Sequence, residues 1–104
     1  MEIKKISEKY NFYKEQDNYV LDLGNIKRNE NTTTELLISG IEDSNLLEVK
    51  ATCGCTSTQK IVIDKNTQTV KITYTQCDPT ISKVMEIRYR NTKIGIIKIK
   101  GLCK

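Results

Sequence analysis

Three stretches of this 104-residue chain alternate apolar and polar side chains with a period of two, and that period restricts the fold more than any other feature. LLEVKATC puts Leu47, Val49, Ala51 and Cys53 on one side and Glu48, Lys50 and Thr52 on the other. TVKITYT alternates Val70, Ile72 and Tyr74 with Lys71, Thr73 and Thr75, and VMEIRYR alternates Met85, Ile87 and Tyr89 with Glu86, Arg88 and Arg90. Successive side chains of an extended strand point to opposite faces, so each stretch reads as a strand with one buried and one wet face.

YVLDLG (19–24), TTELLISG (33–40), QKIVID (59–64) and IGIIKIKG (94–101) bring the number of expected strands to seven. They are separated by turn-forming stretches such as NEN, EDSN, DKNTQ, QCDPT and RNTK. Short strands at this spacing, with no long helical stretch between them, predict an all-β fold: an immunoglobulin-like antiparallel β-sandwich of about seven strands. The length suits one domain and not two.

Residues 1–18 are ambiguous. Ile3, Ile6, Tyr10 and Tyr13 lie at helical spacing, whereas Ile6, Tyr10 and Phe12 also suit a strand. Tyr10, Phe12, Tyr13 and Tyr19 are four of the six aromatic side chains. The expected organisation is an N-terminal arm or extension over 1–18 and a sandwich domain over 19–104. The arm either covers the end of its own sandwich or docks on a neighbour through Tyr10, Phe12, Tyr13 and Tyr19, since aromatics supply contact area at low entropic cost. As a separable arm, residues 1–14 should be removable with the domain still folded.

The net charge of +4 is mild, and Lys and Glu are interleaved, so no basic block marks a nucleic-acid partner. No stretch approaches the roughly 18 apolar residues of a membrane-spanning helix. The charged opening MEIKKISEKYNFYKEQ lacks the apolar core of a secretory signal, so synthesis in a cytoplasm is expected.

The sequence contains no histidine, which removes the ordinary Ser-His and Cys-His nucleophile pairs. The five glycines are scattered singly and form no phosphate loop. Neither an enzyme nor a small-molecule substrate is expected. The chemistry-bearing residues are Cys53, Cys55, Cys77 and Cys103. In an alternating count of seven strands, the third, fifth and seventh end at the same pole, which brings all four cysteines to one end of the sandwich. Four thiolates there would suit a structural zinc ion. The alternatives are burial as small apolar side chains, or disulfides joining Cys53 or Cys55 to Cys77 or Cys103, which need an oxidising setting.

The succession DLGNI (22–26), TELLISG (34–40), LLEVKATCGCT (46–56), VKITYT (70–75), SKVMEIRYRN (82–91) and IKIKG (97–101) resembles a widespread bacterial immunoglobulin-like domain family of unknown function. That family carries an Asp-x-Gly strand and a Leu-x-Ile strand ending in Ser-Cys-Gly-Cys-Thr. The resemblance covers about residues 19–103, and Cys-Gly-Cys-Thr is its most specific element. Ser39-Gly40 and Lys65-Asn66 stand where the family has Asn-x-Gly and Pro-Gly. The chain is also similar to small immunoglobulin-like proteins that decorate or cement the heads of tailed phages, including the crAss-like group. That similarity implies a structural virion component, an auxiliary capsid protein held in many copies on a major capsid protein or another virion protein. The alternatives are a stand-alone protein-binding module in a bacterial cytoplasm or periplasm, and a thiol redox or metal-binding protein.

Overall fold

The computed structural model describes residues 1–6, 9–27, 32–52, 54–75 and 79–103. Nine strands follow one another: β1 (Glu2–Lys5), β2 (Asn11–Glu15), β3 (Asn18–Ile26), β4 (Thr32–Ser39), β5 (Leu47–Ala51), β6 (Thr56–Asp64), β7 (Thr67–Tyr74), β8 (Thr80–Tyr89) and β9 (Thr92–Cys103). A single 3-10 turn, Ser44–Leu46, precedes β5, and the Asp43 side chain caps it by accepting from the Asn45 amide at 3.1 Å.

The strands form two sheets packed as a sandwich, one ordered β1-β4-β7-β6 and the other β2-β3-β9-β8-β5. This is an all-β sandwich, as the alternation predicts. With β1, β4, β7 and β6 in one layer and β5, β8 and β9 in the other, the order matches the two layers of an immunoglobulin-type fold. Two features depart from the expectation. The described residues form nine strands instead of about seven, and β3 pairs with β9 in parallel, so the sandwich is not wholly antiparallel.

Local chemistry accounts for the tightest connections. Arg90 and Asn91 join β8 to β9 with both residues at positive φ, +50° and +64°, the backbone of a two-residue hairpin whose twist matches its strands. Between β6 and β7, Asp64 accepts the Asn66 amide at 2.8 Å, and the Asn66 side chain donates to the Ile41 carbonyl at 2.6 Å, fixing the hairpin to the preceding loop. In β3 the Asp22 carboxylate accepts the Gly24 amide at 2.9 Å, and Gly24 takes φ +65°. The register with β9 shifts between Asp22 and Asn25. Asp-x-Gly is therefore a bulge motif, and the glycine provides the left-handed residue.

The inward phase of the alternating stretches places its large apolar residues in the core, while Ala51 is half-buried and Cys53 lies outside the described residues. Leu47, Val49, Val70, Ile72, Tyr74, Met85, Ile87, Ile97 and Ile99 meet in one core. Gln68 is also buried there; its amide nitrogen donates to the Ser44 carbonyl at 2.8 Å and to the Ser44 hydroxyl at 2.9 Å, tying β7 to the 3-10 turn.

β1 and β2, within the first 18 residues, are part of this architecture. Ile3 is buried where β1 pairs with β4, and β2 forms a hairpin with β3. The boundary expected between an arm and a domain at residue 18 therefore divides neighbouring strands of the same sheet. The N-terminal stretch supplies one edge strand to each layer because it carries apolar residues that both layers need.

Candidate binding surfaces and the cysteine pole

The aromatic side chains of the N-terminal stretch separate by strand phase. Tyr10 is buried in the core, and Phe12 and Tyr19 pack against it. Phe12 and Tyr19 stack with ring centroids 5.6 Å apart and planes 9° apart. Tyr13, the intervening residue in the β2 alternation, faces the other way and is exposed. Of the four aromatics expected to contact a partner, Tyr13 is exposed, Phe12 and Tyr19 are half-buried and Tyr10 is buried.

Tyr13 stands on the outer face of the five-stranded sheet. Cross-strand register aligns it with Val20, Lys98 and Val84 across β2, β3, β9 and β8. The adjacent row contains Asn11, Asp22, Lys100 and Ser82. Val84 and Leu102 are exposed apolar residues, and Lys98 and Lys100 are exposed beside them. The Lys100 ammonium lies 5.7 Å from the Tyr13 ring centroid. Its pKa is raised above 10.5, first by hydrogen bonding and electrostatic attraction to the Tyr13 side chain, against a lowering by desolvation, with lesser contributions from Asp22 and Glu15. The face combines one aromatic ring, short apolar side chains and lysines on a rigid sheet. Such a surface is suited to contact with another macromolecule.

Strand directions also bring chain segments to one pole. β3 is parallel to β9, and β8 is antiparallel to both β9 and β5, so β3, β5 and β9 run the same way. Cys55 follows β5 at this pole, and Cys103 ends β9 opposite Ile26. The Thr75 amide and hydroxyl both donate to the Cys55 carbonyl, at 3.0 and 3.3 Å. The Cys103 amide donates to the Pro79 carbonyl at 3.3 Å. The ends of β7 and β8 are thereby held beside these two cysteines. Cys55 is buried in the core and Cys103 packs against it.

Both Cys55 and Cys103 are disulfide-bonded. Cys53 and Cys77 lie outside the described residues, as does any geometry they would give to a four-cysteine site. A disulfide sulfur has no thiolate charge to offer a metal, so in this oxidation state Cys55 and Cys103 do not fit a zinc centre. Among the described residues no group of three or more Cys, Asp or Glu side chains is arranged to hold a metal.

A third feature carried no signal in the alternation. β6 pairs only with β7 and forms an edge of its sheet, yet Ile61, Val62 and Ile63 in succession are 52, 37 and 57% exposed. A run without alternation reads equally well as a fully buried strand, and the exposure of this one follows from its place at the edge. No family model, curated protein or solved structure matches the chain.

Proposed function

We propose that this chain is a non-enzymatic structural protein, an auxiliary (decoration or cement) capsid protein of a tailed phage that docks on a larger shell protein. The observation that carries this reading is the outer face of the β2-β3-β9-β8 layer, where exposed Tyr13, Val84 and Leu102 lie among Lys98 and Lys100. Aromatic and apolar anchors with Lys98 and Lys100 beside them, and Asp22 in the adjacent row, fit a relatively flat protein partner that offers carboxylates to the two lysines, which steer encounter while the apolar groups hold contact. Disulfide-bonded Cys55 and Cys103 suit a particle that persists outside a reducing cytoplasm. The virion context itself comes from the resemblance in sequence, since a sandwich fold hosts many functions.

The test is mass spectrometry of density-banded particles from the phage that encodes the sequence. The chain should be present in stoichiometric amounts, and a Tyr13→Ala/Lys98→Glu variant that remains folded should be lost from the particle. Recovery of the chain only from unassembled lysate would refute the capsid reading. The disulfides also favour a second reading, a protein-binding module resident in a periplasm. Fractionation of phage-free cells that encode the chain separates the two, because only this reading places it in the periplasmic fraction.

A further inference from the structure

The sandwich has four edge strands, β1 and β6 in one layer and β2 and β5 in the other. Three are short, with four residues in β1 and five each in β2 and β5. β5 is also covered from the opposite layer: the Thr58 hydroxyl donates to the Val49 carbonyl at 3.0 Å and the Lys60 ammonium to the Leu47 carbonyl at 3.2 Å. β6 differs, with nine residues and the exposed run Ile61-Val62-Ile63 in its far half. Natural sheets avoid long apolar edges because such strands recruit others.

We propose that β6 is a homodimer interface, in which two copies of this chain pair their β6 strands antiparallel about a two-fold axis at Val62. The segment Lys60-Ile61-Val62-Ile63-Asp64 is self-complementary in this register. Val62 meets its own counterpart, Ile61 of each copy faces Ile63 of the other, and Lys60 of each faces Asp64 of the other. Opposite charges and branched apolar side chains at directly opposed positions are the pairs that stabilise antiparallel strands. The charge complementarity selects a second copy over an unrelated strand, because residues 60–64 provide both halves of each of these pairs.

Pairing would join two four-stranded layers into one continuous sheet of eight. The contact is isologous, so it closes at two copies and does not propagate into a fibre. The register of β6 with β7 shifts between Val62 and Asp64, leaving Ile63 without a register partner on β7. A bulge sharpens local twist, which confines the pairing to the few residues around the axis. This surface is separate from the face of Tyr13, Lys98 and Lys100, and the inference does not depend on the proposed capsid role.

Sedimentation of the full-length oxidised protein from about 1 µM to about 1 mM spans the affinities of a weak dimer. The mass should rise from monomer to dimer over this range. A mass that stays monomeric throughout overturns the proposal. Val62→Lys, which puts like charges opposite each other on the axis, should weaken association by about tenfold or more; an unchanged dimer also overturns it. Cross-linking reads the register without depending on that variant's stability. Under mild oxidation V62C should give a covalent dimer, because directly opposed antiparallel residues lie within disulfide reach, and I61C should give little. Preferential cross-linking through I61C overturns the Val62 axis, and with it the charge-pairing argument.

Discussion

Replacing Gly101 by alanine tests how β3 and β9 fit together. A Cβ built on Gly101 would lie 2.9 Å from the Gly24 carbonyl oxygen, 3.2 Å from the Leu23 Cβ and 3.5 Å from the Gly24 nitrogen. Two of these neighbours are backbone atoms, and the parallel ladder holds their segment to β9 on both sides of the bulge. No side-chain rotation relieves the contact; the bulge itself must shift. Overpacking of this kind costs about 1–3 kcal/mol. For a domain near this size each kcal/mol lowers the melting temperature by about 4–8 °C, so Gly101→Ala should melt about 10 °C below the parent. Urea unfolding followed by far-UV circular dichroism measures the same loss. Gly95→Ala is the control, because its Cβ would meet only the Ile87 Cδ1 atom at 3.5 Å, an ordinary contact, and its cost should stay within about 0.5 kcal/mol. Gly24→Ala has open space around its Cβ but sits at φ +65°, so it should lose about 1–2 kcal/mol through backbone strain alone. If Gly101→Ala unfolds at the same urea concentration as Gly95→Ala, the close approach of β9 to the β3 bulge is refuted.

Deletion of residues 1–15 should cost more than about 3 kcal/mol, since it withdraws buried Ile3 and Tyr10 and uncovers the edges of β3 and β4; a truncated chain with an unchanged urea midpoint would restore the separable arm. Reduction of the oxidised protein should lower stability by about 2–4 kcal/mol, and before reduction Cys55 and Cys103 should not react with a thiol reagent; stoichiometric zinc that is lost on Cys77→Ser would restore the four-thiolate site. The raised pKa of Lys100 means that the folded state holds its proton more tightly than the unfolded chain. Its contribution is therefore complete below about pH 10 and is lost as pH rises through the folded-state value. Lys100→Met should flatten this part of the alkaline unfolding profile, and an identical profile in both proteins would count against the contact with Tyr13.

The alternating stretches made the sandwich legible because each has one buried and one wet face. Val70, Ile72 and Tyr74 in β7, and Met85 and Ile87 in β8, point inward as their phase requires. Where a strand lies at an edge, that contrast fades. β1 and β2 are too short to establish a period, so Ile3, Ile6, Tyr10 and Tyr13 suit a helix while Ile6, Tyr10 and Phe12 suit a strand. β6 lies at the margin of its layer, and Ile61-Val62-Ile63 gave a strand without showing that all three are exposed. The gathering of Cys55 and Cys103 at one pole was legible from strand direction, because β5 and β9 run the same way. Their oxidation was not, because it depends on redox setting as well as proximity.

The aromatic residues show how the core limits the choice of a binding surface. The chain has six aromatics and no tryptophan, and most of its interior is made of Ile, Leu and Val. Tyr10 and Tyr74 are buried, while Phe12, Tyr19 and Tyr89 pack on the core from its margin. A fully buried ring such as Tyr10 or Tyr74 cannot be offered to a partner, whereas a half-buried ring at the margin offers only the part that the core leaves uncovered. Clustering in sequence therefore treated the four aromatics alike, where strand phase separates buried Tyr10 and half-buried Phe12 and Tyr19 from exposed Tyr13. Its neighbours across the sheet, Lys98, Lys100 and Val84, come from β8 and β9, more than 70 residues away along the chain. The candidate surface is thus a product of the β3–β9 pairing, and any change that shifts that pairing, Gly101→Ala included, should alter partner binding along with stability.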